Sequence, residues 1–194
     1  LETVGNAQVS TAQQKFGTGS VYLDGNGDNL QTGNLGSMFG SGAFTVEAWI
    51  YPTTVSTYKY ILGPWGAYGE PDNTTASWYL AFNGSNRLEV VVNNGSSNTT
   101  LTASSGTVSA NTWQHVAFVR ESNTLRLYLD GTQVGSTTYT SAFNTVSSPL
   151  CIGAQRPTYY QFAGYMDDVR ITKGYCRYPN GTTFTPPTSA FYTY

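Results

Sequence analysis

Apolar and polar residues alternate along most of this chain, regularly enough to predict its secondary structure. In FTVEAWIYP, residues 44–52, every second side chain from Phe44 to Ile50 is apolar. A period of two is typical of a β-strand that buries one face. The same pattern predicts further strands at 20–24, 28–32, 58–63, 78–83, 88–93, 99–103, 149–154 and 162–172. No helical period persists beyond one turn, so we expect only short helical turns, at 35–42 and 140–147.

Residues 112–136, TWQHVAFVRESNTLRLYLDGTQVGS, predict a three-stranded meander. The Asp130–Gly131 step between its second and third strands is a two-residue hairpin signal. About a dozen short strands at regular spacing predict an all-β antiparallel sandwich, or jelly roll. We expect one domain over residues 1–194, with a core at about 18–174. The Pro- and aromatic-rich tail, 175–194, is expected to pack on that core or to extend from it.

Composition narrows the functional classes. Charged residues make up 10% of the 194 residues, against about 25% in an average soluble protein, whereas aromatic residues reach 14%. A net charge of −2 without charge runs predicts no nucleic-acid partner. No apolar run approaches the ~20 residues that span a bilayer, so we expect no membrane insertion. Low charge and loops rich in Thr, Ser, Asn and Gly favour an extracellular, cell-surface or virion location.

Carboxylates are too scattered to predict catalysis. Enzymes that cleave polysaccharides place two carboxyl groups beside one bond, about 5–10 Å apart. Glu47 is the one carboxylate on its strand, and Asp167 and Asp168 are adjacent, so the strand period points them to opposite faces. His115, the single histidine, has the apolar strand neighbours Ala117 and Val119 and is expected to be a core or rim residue. The sequence therefore predicts that the chain is not an enzyme.

The adjacent carboxylates lie in FAGYMDDVRIT, residues 162–172. Val169 and Ile171 mark the core side of this strand, which places Asp167 inward, and Asp168 outward beside Arg170. The outward pair is expected to be a surface salt bridge worth under ~1 kcal/mol. An inward carboxylate needs a cation or several N–H donors, because an unpaired buried charge is too costly. Asp167 therefore has two alternatives, a calcium ion or a cap of backbone amides.

Several segments together resemble a known family. SVYLDGNGDNL, FTVEAWIYP, TWQHVAFV with the LRLYLDG hairpin, PLCIGA and FAGYMDDVRI follow in the order of laminin-G-like jelly rolls of the concanavalin A-like lectin/glucanase superfamily. The resemblance covers about residues 18–174, and the tail ITKGYCRY…FTPPTSAF is similar to modules of phage structural proteins and bacterial surface proteins. It implies two packed antiparallel sheets, ligands at a concave face or rim and, in many members, a structural calcium ion.

The calcium hypothesis takes its residues from two segments. DGNGDN, residues 24–29, places Asp24, Asn26 and Asp28 at the 1-3-5 spacing of an oxygen-rich calcium loop, although it lacks the remaining EF-hand positions. The resemblance favours a rim site that joins this strand end to Asp167. The alternative is that DGNGDN is a plain hairpin turn.

Two loops carry the aromatic and polar side chains that sugar binding uses. Aromatic rings stack on the C–H faces of sugars, while amides, carboxylates and guanidinium groups fix the hydroxyls. Loop 63–73 supplies Trp65, Tyr68, Asp72 and Asn73, and loop 154–162 supplies Arg156, Tyr159 and Tyr160. The alternative is that these aromatic residues only cover the ends of the core.

The leading hypothesis is a non-catalytic binding module that recognises a glycan through these loops. A structural subunit that self-associates through the tail is the second, and a polysaccharide-cleaving enzyme is the third. The two cysteines, Cys151 and Cys176, leave two alternatives open as well, one disulfide bridge or two buried free thiols.

Overall fold

The computed structural model describes residues 1–34, 38–64, 77–155 and 159–191. These residues form fourteen strands and one short 3-10 helix. The strands are β1 Glu2–Val4, β2 Gln8–Ser10, β3 Ser20–Asp24, β4 Asn29–Asn34, β5 Phe44–Pro52, β6 Lys59–Gly63, β7 Trp78–Phe82, β8 Leu88–Asn93, β9 Asn98–Thr102, β10 Gln114–Glu121, β11 Thr124–Leu129, β12 Thr132–Thr138, β13 Pro149–Ile152 and β14 Ala163–Lys173.

The strands form two seven-stranded sheets. Sheet I has the order β1-β4-β13-β6-β7-β8-β9, and sheet II has the order β12-β11-β10-β5-β14-β3-β2. Every strand pair is antiparallel. The all-β sandwich predicted from alternation is therefore confirmed.

The space between the sheets is filled by the apolar half of each alternating strand. Val46 on β5 lies directly opposite Phe118 on β10, and both are fully buried, as is Val90 on β8 of the other sheet. Aromatic rings pack in the same layer, with Phe39 stacked on Phe44 at 4.0 Å between centroids. Removing these side chains from water is the main stabilising contribution, at about 25 cal/mol per Å² of apolar surface.

Two features of the fold differ from the sequence-based expectation. The edge strands β1 and β2 precede residue 18, and at three residues each they are too short for alternation to reveal them. Residues 140–147 are not helical: Phe143 is buried, and its N–H donates to the carbonyl of Gly40. Within the described residues the helical segment is the 3-10 turn Pro179–Gly181, and no helix there is long and apolar enough to cross a membrane.

The hairpin turn at Asp130–Gly131 is confirmed. Both residues have positive φ, +49° and +78°, as a two-residue hairpin of this kind requires. Gly131 has a second role, because a Cβ atom there would collide with the carbonyl oxygen of Phe184. The turn therefore depends on glycine for its conformation and for the close passage of the tail.

The C-terminal tail folds back over the outer face of sheet II. The N–H of Phe184 donates to the carbonyl of Gly131 at 3.0 Å, and the N–H of Phe191 donates to Asp168 Oδ2 at 2.9 Å. The ring of Phe184 stacks on Tyr178 at 3.6 Å between centroids. We call residues 175–191 the roof; they cover their own sandwich and do not extend from it.

Candidate functional site

A bulge in β14 changes the orientation of the two adjacent aspartates. The register of β14 against β5 shifts between Asp167 and Arg170, and Asp168 has a φ of +47°. Met166 before the bulge is buried in the core, while Val169 after it packs against the same core. Because the bulge adds a residue to one strand, Asp167 lies on the outer face of sheet II. The predicted inward orientation of Asp167 is wrong.

Backbone amides satisfy the carboxylate of Asp167. Its Oδ2 accepts from the N–H groups of Lys15 and Phe16, each at 3.0 Å, and its Oδ1 accepts from the N–H of Asp168 at 2.9 Å. Asp28 has a similar environment in the DGNGDN turn, where its oxygens accept from the N–H groups of Asn6 and Asp24. Backbone amides therefore supply the donors that these partly buried carboxylates need.

The three predicted calcium ligands do not converge. Asp24 lies opposite Ala163 in the β3–β14 register, four residues along the strand from Asp167, which corresponds to about 13 Å. Within the residues that the structure describes, no group of three or more His, Cys, Asp or Glu side chains is arranged to hold a metal ion. The donor set does not fit a calcium ion shared by Asp24, Asp28 and Asp167. That the chain carries a structural calcium ion stays a prediction.

Arg170 pairs with Glu47 and not with Asp168. Its Nε and Nη2 lie 2.9 and 2.8 Å from Glu47 Oε1, and its guanidinium stacks on the Phe191 ring at 3.4 Å. The predicted surface pair with Asp168 is therefore wrong. Asp168 instead accepts from the Phe191 amide, and partial burial raises the pKa of its carboxyl.

Glu47 is the centre of a buried polar cluster beneath the roof. Its Oε2 accepts from Tyr178 Oη at 2.5 Å and contacts His115 Nε2 at 3.1 Å, and both Glu47 and His115 are fully buried. Burial by itself would raise the pKa of Glu47, but hydrogen bonds from His115, Tyr178 and Arg170 outweigh it, so the pKa is lowered. A carboxylate covered in this way is closed to a substrate. The sequence feature that could have indicated this cluster was Glu47 itself, a single acidic residue on the outer face of the long strand β5.

The two cysteines lie on opposite sides of the sandwich. Cys151 is on β13 of sheet I, whereas Cys176 packs with Ala117, Val119 and Tyr128 on the outer face of sheet II. Packed sheets are about 10 Å apart, and a disulfide needs Cα atoms within about 7 Å. Both thiols are free and buried, so the disulfide alternative is wrong.

The predicted sugar-binding residues are only partly covered by the structure. Trp65, Tyr68, Asp72, Asn73 and Arg156 lie outside the described residues.

Tyr159 and Tyr160 are described, and the two residues are 55% and 47% exposed. The two loops lie at opposite ends of β6. The first follows Gly63, while the second connects β13 to β14, and in it the carbonyl of Tyr160 accepts from the N–H of Tyr60 near the start of β6.

Four tyrosines, Tyr58, Tyr79, Tyr159 and Tyr160, form one surface over sheet I, which we call the tyrosine patch. Ring centroids of Tyr58 and Tyr160 lie 4.6 Å apart, those of Tyr159 and Tyr160 lie 6.3 Å apart, and those of Tyr58 and Tyr79 lie 6.4 Å apart. Tyr159 and Tyr160 give the patch an open aromatic edge, while Tyr58 and Tyr79 are half-buried at its base.

Glu89 on β8 adds a carboxylate to the tyrosine patch. Its Oε1 accepts from Tyr58 Oη at 2.6 Å, and its Oε2 accepts from Thr102 Oγ1 at 2.8 Å and Asn83 Nδ2 at 3.4 Å. Burial, the neighbouring Tyr79 and the bond to Glu89 raise the pKa of Tyr58, so its hydroxyl stays a donor.

Sequence reasoning missed Tyr58, Tyr79 and Glu89, because it searched loops. Alternation could have identified the two strand residues. Tyr79 and Glu89 are at outward positions, because their neighbours Leu80 and Val90 are core residues.

Solved structures similar to this chain share its fold at low sequence identity. Domain 4 of the extracellular arabinanase AbnA from Geobacillus stearothermophilus, in complex with arabinotriose, is 15% identical with a TM-score of 0.61, over 88% of this chain and 76% of that one. The CBM40 module of Ruminococcus gnavus IT-sialidase, bound to α2,3-sialyllactose, is 15% identical with a TM-score of 0.53, over 71% and 86%.

A third similar structure is a protein from Bacteroides ovatus to which carbohydrate binding is ascribed. It is 18% identical with a TM-score of 0.54, over 87% of this chain, which spans 42% of that protein. No curated protein matches the sequence. At these identities the structural likeness establishes the fold alone.

The family of the chain is identified from its sequence. A laminin-G family model matches residues 24–175, which is most of the chain and includes the β5–β10–β14 centre of sheet II. The predicted resemblance is confirmed, and the chain belongs to the concanavalin A-like lectin/glucanase superfamily.

Proposed function

We propose that the chain is a non-catalytic glycan-binding module and that the tyrosine patch is its binding surface. The observation that carries the proposal is the open aromatic edge at Tyr159 and Tyr160 beside the hydrogen-bonded carboxylate of Glu89. Rings offer faces to the C–H side of a sugar, and the carboxylate and tyrosine hydroxyls offer hydrogen bonds to its hydroxyl groups.

Three further observations support this function. Two of the similar folds were solved with a saccharide bound, arabinotriose in one and sialyllactose in the other. The central carboxylate of sheet II, Glu47, is covered by the roof, which favours binding over catalysis. The low charge of the chain, and its likeness to a domain of an extracellular enzyme, support a location outside the cell or on a virion surface.

A glycan array with matched tyrosine variants tests the proposal. We expect Tyr159→Ala and Tyr160→Ala each to weaken glycan binding by about tenfold, as loss of an anchoring ring does. Tyr175→Ala is the control, because Tyr175 is 62% exposed but lies on the roof, away from the patch. Equal binding by all three variants would contradict the proposal.

The same protein samples also test the alternative hypothesis, a structural subunit that self-associates. The tail packs on its own sandwich as far as Phe191, so a smaller part of the tail remains to contact a second copy. A blank array together with concentration-dependent sedimentation of the wild type would favour a structural subunit over a glycan-binding module.

A further inference from the structure

A row of four aromatic side chains crosses the outer face of sheet II, far from the tyrosine patch. Tyr165 on β14 lies directly opposite Tyr22 on β3 and Tyr51 on β5. Trp113 precedes Gln114, which pairs with Ile50, so Trp113 lies beside Tyr51. We call Tyr22, Tyr165, Tyr51 and Trp113 the aromatic row; it runs at right angles to the strands.

The four rings follow one another at nearly constant steps. Centroids are 5.0 Å apart for Tyr22 and Tyr165, 5.8 Å for Tyr165 and Tyr51, and 5.5 Å for Tyr51 and Trp113. The steps follow from strand spacing, about 4.8 Å, and are close to the length of one sugar unit in an extended chain. All four residues are half-buried, so each keeps some surface exposed to solvent.

Among the residues that the structure describes, the aromatic row is a part of this face that stays partly exposed. On the neighbouring positions, the ammonium of Lys15 lies 3.7 Å above the Trp49 ring. Further along, the roof buries Glu47, and Phe191 covers Arg170. These side chains are therefore committed to the fold, whereas the aromatic row is not.

The chemistry of the aromatic row fits a ligand that is uncharged and rich in hydroxyl groups. The hydroxyls of Tyr22, Tyr51 and Tyr165 make no hydrogen bond within the described part of the chain, so they are available to a ligand. At the β3 end, Gln8 lies opposite Tyr22, and Asp24 lies two residues along; both are exposed. An exposed carboxylate at this end disfavours acidic sugars.

We propose that the aromatic row is a second binding surface, which takes an extended neutral glycan lying across the strands. It is separate from the tyrosine patch, because the two surfaces lie on the outer faces of different sheets. A glycan needs about four units to contact all four rings, so affinity should rise with chain length up to that point and then level off. Short saccharides would bind at the tyrosine patch alone.

Calorimetry with neutral xylo-, cello- and arabino-oligosaccharides of two to six units tests the proposal. The row variant combines Tyr22→Ala with Tyr165→Ala, and the patch variant combines Tyr159→Ala with Tyr160→Ala. We expect the row variant to lose about tenfold in affinity for six-unit chains while keeping its affinity for two-unit ones. The patch variant should lose the short ligands and keep the dependence on chain length.

A milder variant protects the test against misfolding. Gln8→Ala with Asp24→Asn changes only exposed side chains at the end of the row, and we expect it to weaken six-unit binding several-fold. Near-UV circular dichroism checks that each variant is folded.

Three outcomes would overturn the second surface. One is a folded row variant that binds every chain length as the wild type does; if the patch variant then loses all binding, the proposed function stands without the second surface. Another is a wild type that binds no neutral glycan of any length. The third is a row variant whose only change is the loss of self-association in sedimentation, which would show that a second copy occupies the row.

Discussion

Two glutamates on the two sheets show how similar strand positions acquire different roles. Glu47 on β5 and Glu89 on β8 both point outward, and both accept a hydrogen bond from a tyrosine hydroxyl, at 2.5 Å from Tyr178 and at 2.6 Å from Tyr58. Glu47 is fully buried beneath the roof, whereas Glu89 is only half-buried. The remaining partners differ as well, since Arg170 pairs with Glu47 while neutral groups donate to Glu89.

The difference follows from what covers each sheet. A carboxylate removed from water needs an opposite charge and a full set of donors, and Arg170, His115 and Tyr178 supply them beneath the roof. A carboxylate beside open solvent needs only neutral donors and keeps some capacity for a ligand. An acid on the outer face of a strand therefore indicates a candidate site only after its cover is known.

The largest expected effect comes from removing the buried carboxylate. Glu47→Ala should lower the free energy of unfolding by about 3–5 kcal/mol, because it leaves Arg170 and His115 without their acceptor under the roof. Glu89→Ala is the matched control and should cost about 1 kcal/mol. Urea denaturation measures both, and similar losses for the two variants would remove the distinction between the sheets.

Lowering the pH is a second test of the role of the Glu47 carboxylate. The pKa of Glu47 is lowered from its ordinary value of 4.5 in the folded state, so its stabilising contribution is complete above that value and is lost as the pH falls through the folded pKa. We expect wild-type stability to decline below about pH 4.5 and the Glu47→Gln variant to decline less steeply. Urea midpoints between pH 2 and 6 would show this, and parallel curves would speak against it.

The next effect concerns the attachment of the roof. Gly131→Ala should cost about 2–4 kcal/mol, because it adds a clash with the Phe184 carbonyl to the strain of positive φ. Gly174→Ala is matched in φ, at +83°, but has nothing near its Cβ position, and should cost about 1–2 kcal/mol. Only Gly131→Ala should speed tryptic cleavage after Arg177; equal cleavage in both variants would mean that the roof is not held at this turn.

A smaller effect is expected at the amide-capped aspartate. Asp167→Ala should cost about 1–3 kcal/mol, because the N–H groups of Lys15 and Phe16 lose their acceptor. We expect the same loss in calcium and in EDTA. Thermal melts of wild type and variant in both buffers measure this; an EDTA effect confined to the wild type would instead assign a calcium ion to Asp167.

The smallest effect, no change at all, is expected from a reducing agent. Cys151 and Cys176 lie on opposite outer faces, and burial raises the pKa of both thiols, that of Cys151 to about 11. Dithiothreitol should leave the melting temperature unchanged. A thiol reagent should titrate two groups per chain after unfolding, with slow reaction before it. Fewer than two groups would indicate a bridge.

The sequence-based predictions succeeded where the pattern that carries them is local in the chain. Alternation in FTVEAWIYP predicted β5 with its bounds, and the Asp130–Gly131 step predicted its hairpin. The same alternation failed at Asp167, because a bulge adds a residue without changing the residue types around it. Tyr58 and Tyr160 meet at 4.6 Å across 102 positions of chain, a pairing that no local pattern contains.

The sequence by itself determined which side chains of most strands face the core, and so the two-sheet sandwich. Those properties follow from a period of two and from turn residues, which act over a few positions. Only the tertiary structure decided which parts of the outer face of sheet II are covered, because the roof and the segment at Lys15 and Phe16 reach this sheet from distant parts of the chain. The burial of Glu47 and the amide cap of Asp167 both depend on that long-range packing.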